Sequence, residues 1–556
     1  MPAPDNIYED DVDFTTLALQ YPDFAKRGHE GKTMEAKGSM FSQPHPSTRG
    51  IIDHDKHKLT ASRVRTDDRL KPNRQLDFSD PESVRQLTKC LLHRDFNLTI
   101  DVPDDRLCPP VPNRFNYILF IQRLLDDTSP DFHQGYDRER QVLGLDIGTG
   151  SSAIYPLLAC AQRPRWRFLC TEIDDKNRQY AQRNISANNL GSRIRMIDTD
   201  RTGGKLIPAA QLEHFDRVDV LVTNPPFYSS EAELLGSAGQ KSRPPNSSCT
   251  GAAVEMITPG GEVSFVGKLI RESAHAEMRR KVQWFSAMLG KLSSVGTIVT
   301  QLRNQGCTNF AVTEFVQGQK TRRWCVAWSW MGFRPGGHVA RGVRGGSGVE
   351  KKWLPPLTEM EFDCEVEDEA EDRDENGDEN GDGNGDRLGT ARAVAEKVTR
   401  EIRKLDGVAW KFDAATGVGM FMAREGDVWS RKARRKAIQV QDADASGRRR
   451  GCEVDKNRDA QRNRGRAPDG LEDTVMEDRE ESEDDDDESE QETEPEPEPA
   501  LVARISIRTS PLPLPPADTR TRSKRTIHIR HLQGHDAVLF ESFCGWLKRK
   551  VVPPSR

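Results

Sequence analysis

From Gln141 the chain alternates short apolar runs with helical periods, the pattern of a parallel sheet wound with helices on both faces. The predicted strands are Val142–Ile147, Arg167–Thr171, Ile194–Ile197 and Val218–Thr223, followed by Trp284–Met288, Phe310–Phe315 and Arg323–Trp330. Helices are expected over Ser152–Ala161, Asp175–Asn188 and Gly261–Ala274, and the domain closes near Phe333. Upstream, Asp80-Pro81-Glu82 opens a helix with Asp80 as N-cap and Pro81 at its first position. A second helix is predicted over Arg114–Asp126, burying Phe115, Ile118, Leu119, Ile121, Leu124 and Leu125.

Outside this block the texture is polar. Residues 1–75 read as a basic, partly disordered arm with a short helix near Phe14, and 76–335 as a Rossmann-like α/β domain with N-terminal helices. An acidic disordered linker is expected over 336–387. Structure resumes over 388–438, with a helix to Lys404 and a hairpin of Val408–Phe412 and Val418–Ala423. A disordered charged insert, 439–500, separates it from 501–556, which carries two strand candidates and an amphipathic helix, Ala537–Lys550. Neither fragment buries enough to stand alone, so they read as two halves of one small, discontinuous α/β module.

Composition sharpens this division. With 31% charged and 35% hydrophobic residues, the 556-residue chain is too polar to be folded throughout. The formal net charge of −6 hides segregation. Acidic residues crowd into Glu361–Asp386 and Glu472–Glu498, and the remainder is basic. Ten cysteines form no C-x-x-C pair, which argues against a zinc site and a disulfide framework. No signal-peptide pattern and no long apolar stretch are present, so a soluble intracellular protein without metal or membrane partner is expected.

The candidate chemistry sits at strand ends. Val142-Leu-Gly-Leu-Asp146-Ile-Gly148-Thr-Gly150-Ser-Ser152 is a buried strand, a turn of small residues and a helix start, which suits a nucleotide-like cofactor. Glu172 ends the next strand about twenty residues on, where an acidic side chain accepts from ribose hydroxyls. That spacing fits NAD and S-adenosylmethionine equally. Asn224-Pro225-Pro226-Phe227, after the fourth strand, separates them, because it presents a carboxamide, a carbonyl and a ring face to a planar amine awaiting methylation. The Asn224 side-chain oxygen and the Pro225 carbonyl can accept the two amino hydrogens and aim the nitrogen lone pair, while Pro226 stiffens the turn and Phe227 stacks on a base. Arg114 is placed to clamp either a cofactor carboxylate or an RNA phosphate, and Asp146 either caps a helix or meets the cofactor ammonium. Basic residues at Arg63, Arg65, Lys71 and Arg74, at Lys241 and Arg243, and at Lys320, Arg322 and Arg323 flank this site and favour a nucleic acid.

Several short motifs then occur in a familiar order: Tyr21-Pro-Asp-Phe24, Asn116-Tyr117, Asp146-Ile-Gly-Thr-Gly150, Asn188-Asn-Leu190, Asn224-Pro-Pro-Phe227, Met288-Leu-Gly-Lys291 and Thr313-Glu-Phe315. Through them the chain, over roughly residues 10 to 335, resembles the methyltransferase-like 16 proteins, which methylate adenosine N6 in U6 small nuclear RNA, and the bacterial RlmF ribosomal RNA methyltransferases. The resemblance implies that Arg114, Gly148, Ser152, Glu172 and Asn224 bind S-adenosylmethionine, with Thr202 matching at a spacing that departs by about a residue. It implies structured RNA, U6 small nuclear RNA, as partner, and a divided C-terminal module that binds RNA. A protein glutamine methyltransferase shares the Asn-Pro-Pro-aromatic chemistry, and a non-catalytic RNA-binding regulator shares the fold. The basic surroundings oppose the first and the intact motif the second. Nuclear localisation is expected from Arg431-Lys-Ala-Arg-Arg-Lys436 and Arg520-Thr-Arg-Ser-Lys-Arg525.

Overall fold

The structure, a computed structural model, describes residues 6–9, 12–21, 76–78, 80–239, 251–317, 321–367, 385–433, 435, 498–509 and 522–552. The chain forms two compact units, Met1–Pro356 and Leu357–Arg556. Arg63, Arg65, Lys71, Arg74, Lys241, Arg243, Lys320 and nearly all of the 439–500 insert lie outside the described residues.

The first unit is built on one sheet. Its strands are β1 (Val142–Ile147), β2 (Trp166–Thr171), β3 (Ile194–Met196), β4 (Val218–Thr223), β5 (Val282–Leu289), β6 (Asn309–Gln317), β7 (Thr321–Ser329) and β8 (Arg341–Gly342). Their order is β3-β2-β1-β4-β5-β7-β6-β8. β1 to β5 run parallel, and β7 is antiparallel to both β5 and β6. Helices cover both faces, so β4 is buried at all of its positions, which explains why Val218–Thr223 reads as a continuous run rather than an alternating one. The strand order reverses between β1 and β4, so a crevice opens beyond their carboxyl ends, next to Gly148 and Asn224.

The helices before the sheet follow their caps. Asp80 accepts from the Ser83 amide at 3.1 Å and starts the helix Pro81–Phe96, and Asp13 caps Phe14–Gln20. The helix expected from Arg114 begins at Val111, because a proline in its first turn needs no amide partner. A further helix, Leu292–Asn304, which the apolar pattern did not separate from its flanks, packs Val295, Ile298, Val299 and Leu302 under the sheet.

The 336–387 segment is the main departure from expectation. Part of it is folded. Residues Gly337–Ala340 form a short helix, β8 adds to β6 at the edge of the first sheet, and Glu359–Glu367 is a strand, β9, of the second unit. Phe362 and Cys364 of β9 are buried at 6% and 1% exposure while Glu361 and Asp363 face outward. Period-two alternation therefore lies inside a run whose composition reads as acidic linker.

The second unit is a five-stranded antiparallel sheet of order β10-β11-β12-β13-β9, with β10 (Val408–Asp413), β11 (Val418–Ala423), β12 (Leu501–Thr509) and β13 (Arg522–Gln533). Because β11 pairs with β12 across the insert, the two C-terminal fragments share one sheet. Helices Gly385–Ile402 and Ala537–Val551 fill its core with Val394, Val398, Phe543 and Leu547, and Phe543 stacks on Phe421 at 4.2 Å. Of the second basic run, Arg522–Arg525 are strand residues of β13.

Candidate active site

The glycine turn is a consequence of backbone geometry. Gly148 and Gly150 have φ of 72° and 65°, a region that L side chains enter at a cost, and a Cβ on either would meet nothing within 4 Å. Conformation, not crowding, requires glycine there. The Gly148 and Thr149 amides donate to the Thr171 carbonyl at 3.1 and 2.9 Å, which pins the turn across the end of β2. Gly150 donates its amide to Glu172 Oε2 at 2.9 Å, and Asp174 donates to Oε1 at 3.0 Å. Glu172 is 6% exposed, and burial pushes its carboxyl up. Each of its oxygens keeps acceptor capacity toward the crevice.

That crevice holds a cavity of about 550 Å³, lined by Arg114, Gly148, Ser152, Glu172, Thr202 and Asn224 among others. All the residues assigned to cofactor binding from the sequence thus line one cavity. Thr202 is among them, but its hydroxyl is already used. It donates to Asp200 Oδ1 at 2.6 Å and shapes the exposed turn after β3. Lys205, Phe265 and Lys268 also line the cavity, and no sequence signal marked them.

Arg114 is buried at 6% exposure, and no carboxylate bonds it among the described residues. Its Nη1 donates to the Tyr155 hydroxyl at 2.7 Å, to Asn224 Oδ1 at 3.0 Å and to Met288 Sδ at 3.2 Å. Its hydrogen-bond partners are thus neutral, with the buried Asp146 as a nearby ionisable group. One turn along the same helix, the Tyr117 hydroxyl meets Ser286 Oγ at 2.8 Å and accepts the Thr223 amide at 3.3 Å. The helix therefore holds both the cation and the backbone just before Asn224.

Asp146 lies fully buried at the end of β1. Thr149 Oγ1 donates to its Oδ2 at 2.7 Å, while Oδ1 has no hydrogen-bond partner among the described residues. Burial pushes its carboxyl up to about 7. A carboxyl raised on folding contributes stability that is full below the usual aspartate range and is lost as pH rises through about 7. The Asp146→Asn variant should accordingly lose less stability than the parent between about pH 5 and 8. Urea unfolding at both pH values checks this, and equal losses in the two proteins would sink it.

At the other side of the crevice, β4 delivers Asn224. Pro225 is buried, Pro226 lines the cavity, and Phe227 lies half-buried beyond it. The Arg323 guanidinium, at the start of β7, sits 5.6 Å from the centre of the Phe227 ring. Arg322 pairs with Glu314 at 3.1 Å. Both arginines are at the carboxyl edge of β5, because β7 runs antiparallel to it.

A protein family described as RNA methyltransferase matches residues 65–332. Ribosomal RNA large subunit methyltransferase F of Pseudomonas entomophila is 35% identical over 266 residues, which cover 46% of this chain and 81% of that protein. The chain belongs to this RNA methyltransferase family. Two longer relatives match the same region. The U6 small nuclear RNA (adenine-(43)-N(6))-methyltransferase of Schizosaccharomyces pombe is 39% identical over 269 residues, 48% of this chain and 66% of its own length. The human RNA N(6)-adenosine-methyltransferase METTL16 is 40% identical over 256 residues, 46% of this chain and 44% of its own. The match thus spans less than two thirds of each of these two relatives.

In this member of the RNA methyltransferase family, Asn224, the glycine turn and Arg114 line one cavity, and Arg114 bonds Asn224. The glycines, Glu172 and the Asn-Pro-Pro-Phe run were visible as local patterns. The roles of Tyr155, Met288 and Ser286, which set Arg114 and Tyr117, were not, although Met288 opens one of the quoted motifs, because each acts through a contact made only in the folded chain.

Proposed function

We propose that this chain is an S-adenosylmethionine-dependent RNA methyltransferase that forms N6-methyladenosine in structured RNA, with U6 small nuclear RNA as its substrate and the nucleus as its place of action. The observation that carries this reading is that Asn224 of the Asn-Pro-Pro-Phe run borders the same 550 Å³ cavity as Gly148, Glu172 and the buried Arg114. The substrate and the nuclear location rest on the names of the U6 and METTL16 relatives.

The residues present fit the cofactor. Arg114 would take its carboxylate, the Gly148–Ser152 turn its backbone-facing side and Glu172 its ribose hydroxyls, with Thr202 and Asn224 completing the wall. S-adenosylmethionine, when bound, supplies a methyl group on a sulfonium. The remaining work is orientation. Adenine N6 is a poor nucleophile because its lone pair is delocalised into the ring. Asn224 Oδ1, with one lone pair taken by Arg114, has a second for one amino hydrogen, and the Pro225 carbonyl accepts the other. With both hydrogens held, the nitrogen lone pair points out of the ring plane without a strong base. Phe227 stacks on the extruded base, a contact worth roughly 1–3 kcal/mol.

The second unit is proposed to bind RNA alongside the first. One experiment tests both parts: purified full-length chain and the 1–356 unit are each incubated with labelled S-adenosylmethionine and a U6 hairpin, and the digested RNA is read by mass spectrometry. N6-methyladenosine is expected from both, with the 1–356 unit binding RNA at least about tenfold more weakly at moderate salt. Label in protein glutamine instead of RNA overturns the reading, and equal RNA affinity removes the role of the second unit.

A further inference from the structure

The half-buried Phe227 is held by an arrangement that the reading of the Asn-Pro-Pro-Phe run did not include. Gly290 follows β5, and a Cβ there would lie 3.2 Å from Phe227 Cδ1 and 3.3 Å from Glu262 Oε2. The bare backbone of Gly290 therefore lies against both the Phe227 ring and the Glu262 carboxylate, on the face that a Cβ would occupy. Gly261, at φ 64°, makes a second close approach, since a Cβ there would lie 3.2 Å from the Phe227 carbonyl oxygen. Glu262 ties these two glycine segments together. It sits in the first turn of the helix Gly261–Ser273, is 2% exposed, and accepts the Gly290 amide at 2.7 Å, the Lys291 amide at 3.1 Å and the Ser294 hydroxyl at 2.5 Å. Lys291 continues the chain of contacts to Glu233, which accepts the Ser229 amide and hydroxyl at 2.7 Å each. The loop after β5 is thereby fastened to Phe227 and to the segment from Ser229 to Glu233 that follows it.

We propose that Glu262 is a positioning residue that fixes the Phe227 ring at the height and tilt at which it stacks on the target adenine. This rests on the reading of Phe227 as the base-stacking ring. The carboxylate faces three donors, and only a group with acceptors on both arms satisfies them. Glutamine keeps the size but turns an NH2 toward a backbone N–H or the Ser294 hydroxyl, leaving at least one pairing poor in a buried place. The loop then relaxes away from the helix, and the face of Gly290 that supports Phe227 moves with it. Glu262 itself does not line the cofactor cavity, whereas Ser264, Phe265 and Lys268 of the same helix do, so cofactor affinity is read alongside the rate.

The test is a double-mutant cycle read by single-turnover methylation of the U6 hairpin, with affinity for S-adenosylhomocysteine measured in parallel. Glu262→Gln is expected to slow methyl transfer on the order of 10- to 100-fold through misplacement of the ring, with cofactor affinity kept. In a Phe227→Leu background the same substitution should cost less than about twofold more, because the group it positions is already gone. Full multiplication of the two losses, or a parental rate from Glu262→Gln, overturns the proposal. If Glu262→Gln does not fold, Gly290→Ala serves, because it leaves every Glu262 acceptor in place and presses only on the ring and carboxylate. It should show the same loss and the same lack of additivity, and a parental rate from it counts against the proposal. A Phe227→Leu protein that methylates at the parental rate defeats the stacking reading itself and the proposal with it. That outcome differs from a failure of Glu262 alone, in which Phe227→Leu remains slow.

Discussion

Replacing Asn224 by alanine is expected to lower the rate of methyl transfer by on the order of 10²–10³-fold, with affinity for S-adenosylhomocysteine changed only a few-fold. The carboxamide oxygen is the only side-chain acceptor of the Asn-Pro-Pro-Phe run, and without it one amino hydrogen of the base is unheld, so the lone pair is no longer directed. Arg114 loses one of its three neutral acceptors but keeps Tyr155 and Met288. Asn224→Asp makes the sharper comparison. Its carboxylate could still accept an amino hydrogen, yet 3.0 Å from a buried guanidinium it would form an ion pair that competes with the anion Arg114 is there to receive. Cofactor affinity should therefore fall in Asn224→Asp and persist in Asn224→Ala, as calorimetry with S-adenosylhomocysteine would read. Parental methylation by the alanine variant, or equal cofactor affinity in the two variants, would contradict the assigned roles.

Arg114→Met is expected to weaken cofactor binding by about 10²-fold, the worth of one or two charge-assisted hydrogen bonds, while leaving the cofactor-free protein at least as stable as the parent. The two halves of this prediction come from one observation. A guanidinium at 6% exposure with no carboxylate bonded to it among the described residues is a desolvated cation held by neutral acceptors, and such a group costs stability unless an anion binds it. Arg114→Lys should not rescue binding, because a single ammonium cannot reproduce the guanidinium's planar fork toward a carboxylate while also reaching Tyr155 and Asn224. Thermal unfolding with and without S-adenosylhomocysteine separates the effects. The variant should keep its melting temperature and lose the ligand-induced rise, and a rise equal to the parent's would show that Arg114 does not hold the cofactor.

How much of this was legible before folding depends on whether the signal was local. The Gly148–Gly150 turn, Glu172 and the Asn-Pro-Pro-Phe run each announce themselves over a few residues, because strand-ending turns and proline-stiffened carbonyls need specific residue types in sequence order. The β9 strand was hidden because its outward-facing positions are acidic, and composition averaged over the segment masked the apolar residues between them. The Leu292–Asn304 helix went unseen for a related reason, its polar first turn interrupting the apolar period. Thr202 was carried over from the family resemblance at a shifted spacing, and the structure puts it on the cavity wall with its hydroxyl already given to Asp200.

Residue order located the candidate chemistry: a glycine turn, an acidic strand end and an Asn-Pro-Pro-Phe run follow in succession, each written within a single strand-to-turn junction. The relations among them were decided in three dimensions. Arg114 reaches Asn224 across 110 residues of chain and Met288 across 174, and Glu262 reaches Gly290 across 28. Such contacts depend on which strands lie side by side and which helix packs over them. That is a property of the packed sheet, where burial removes water as a partner and most donors find a specific acceptor.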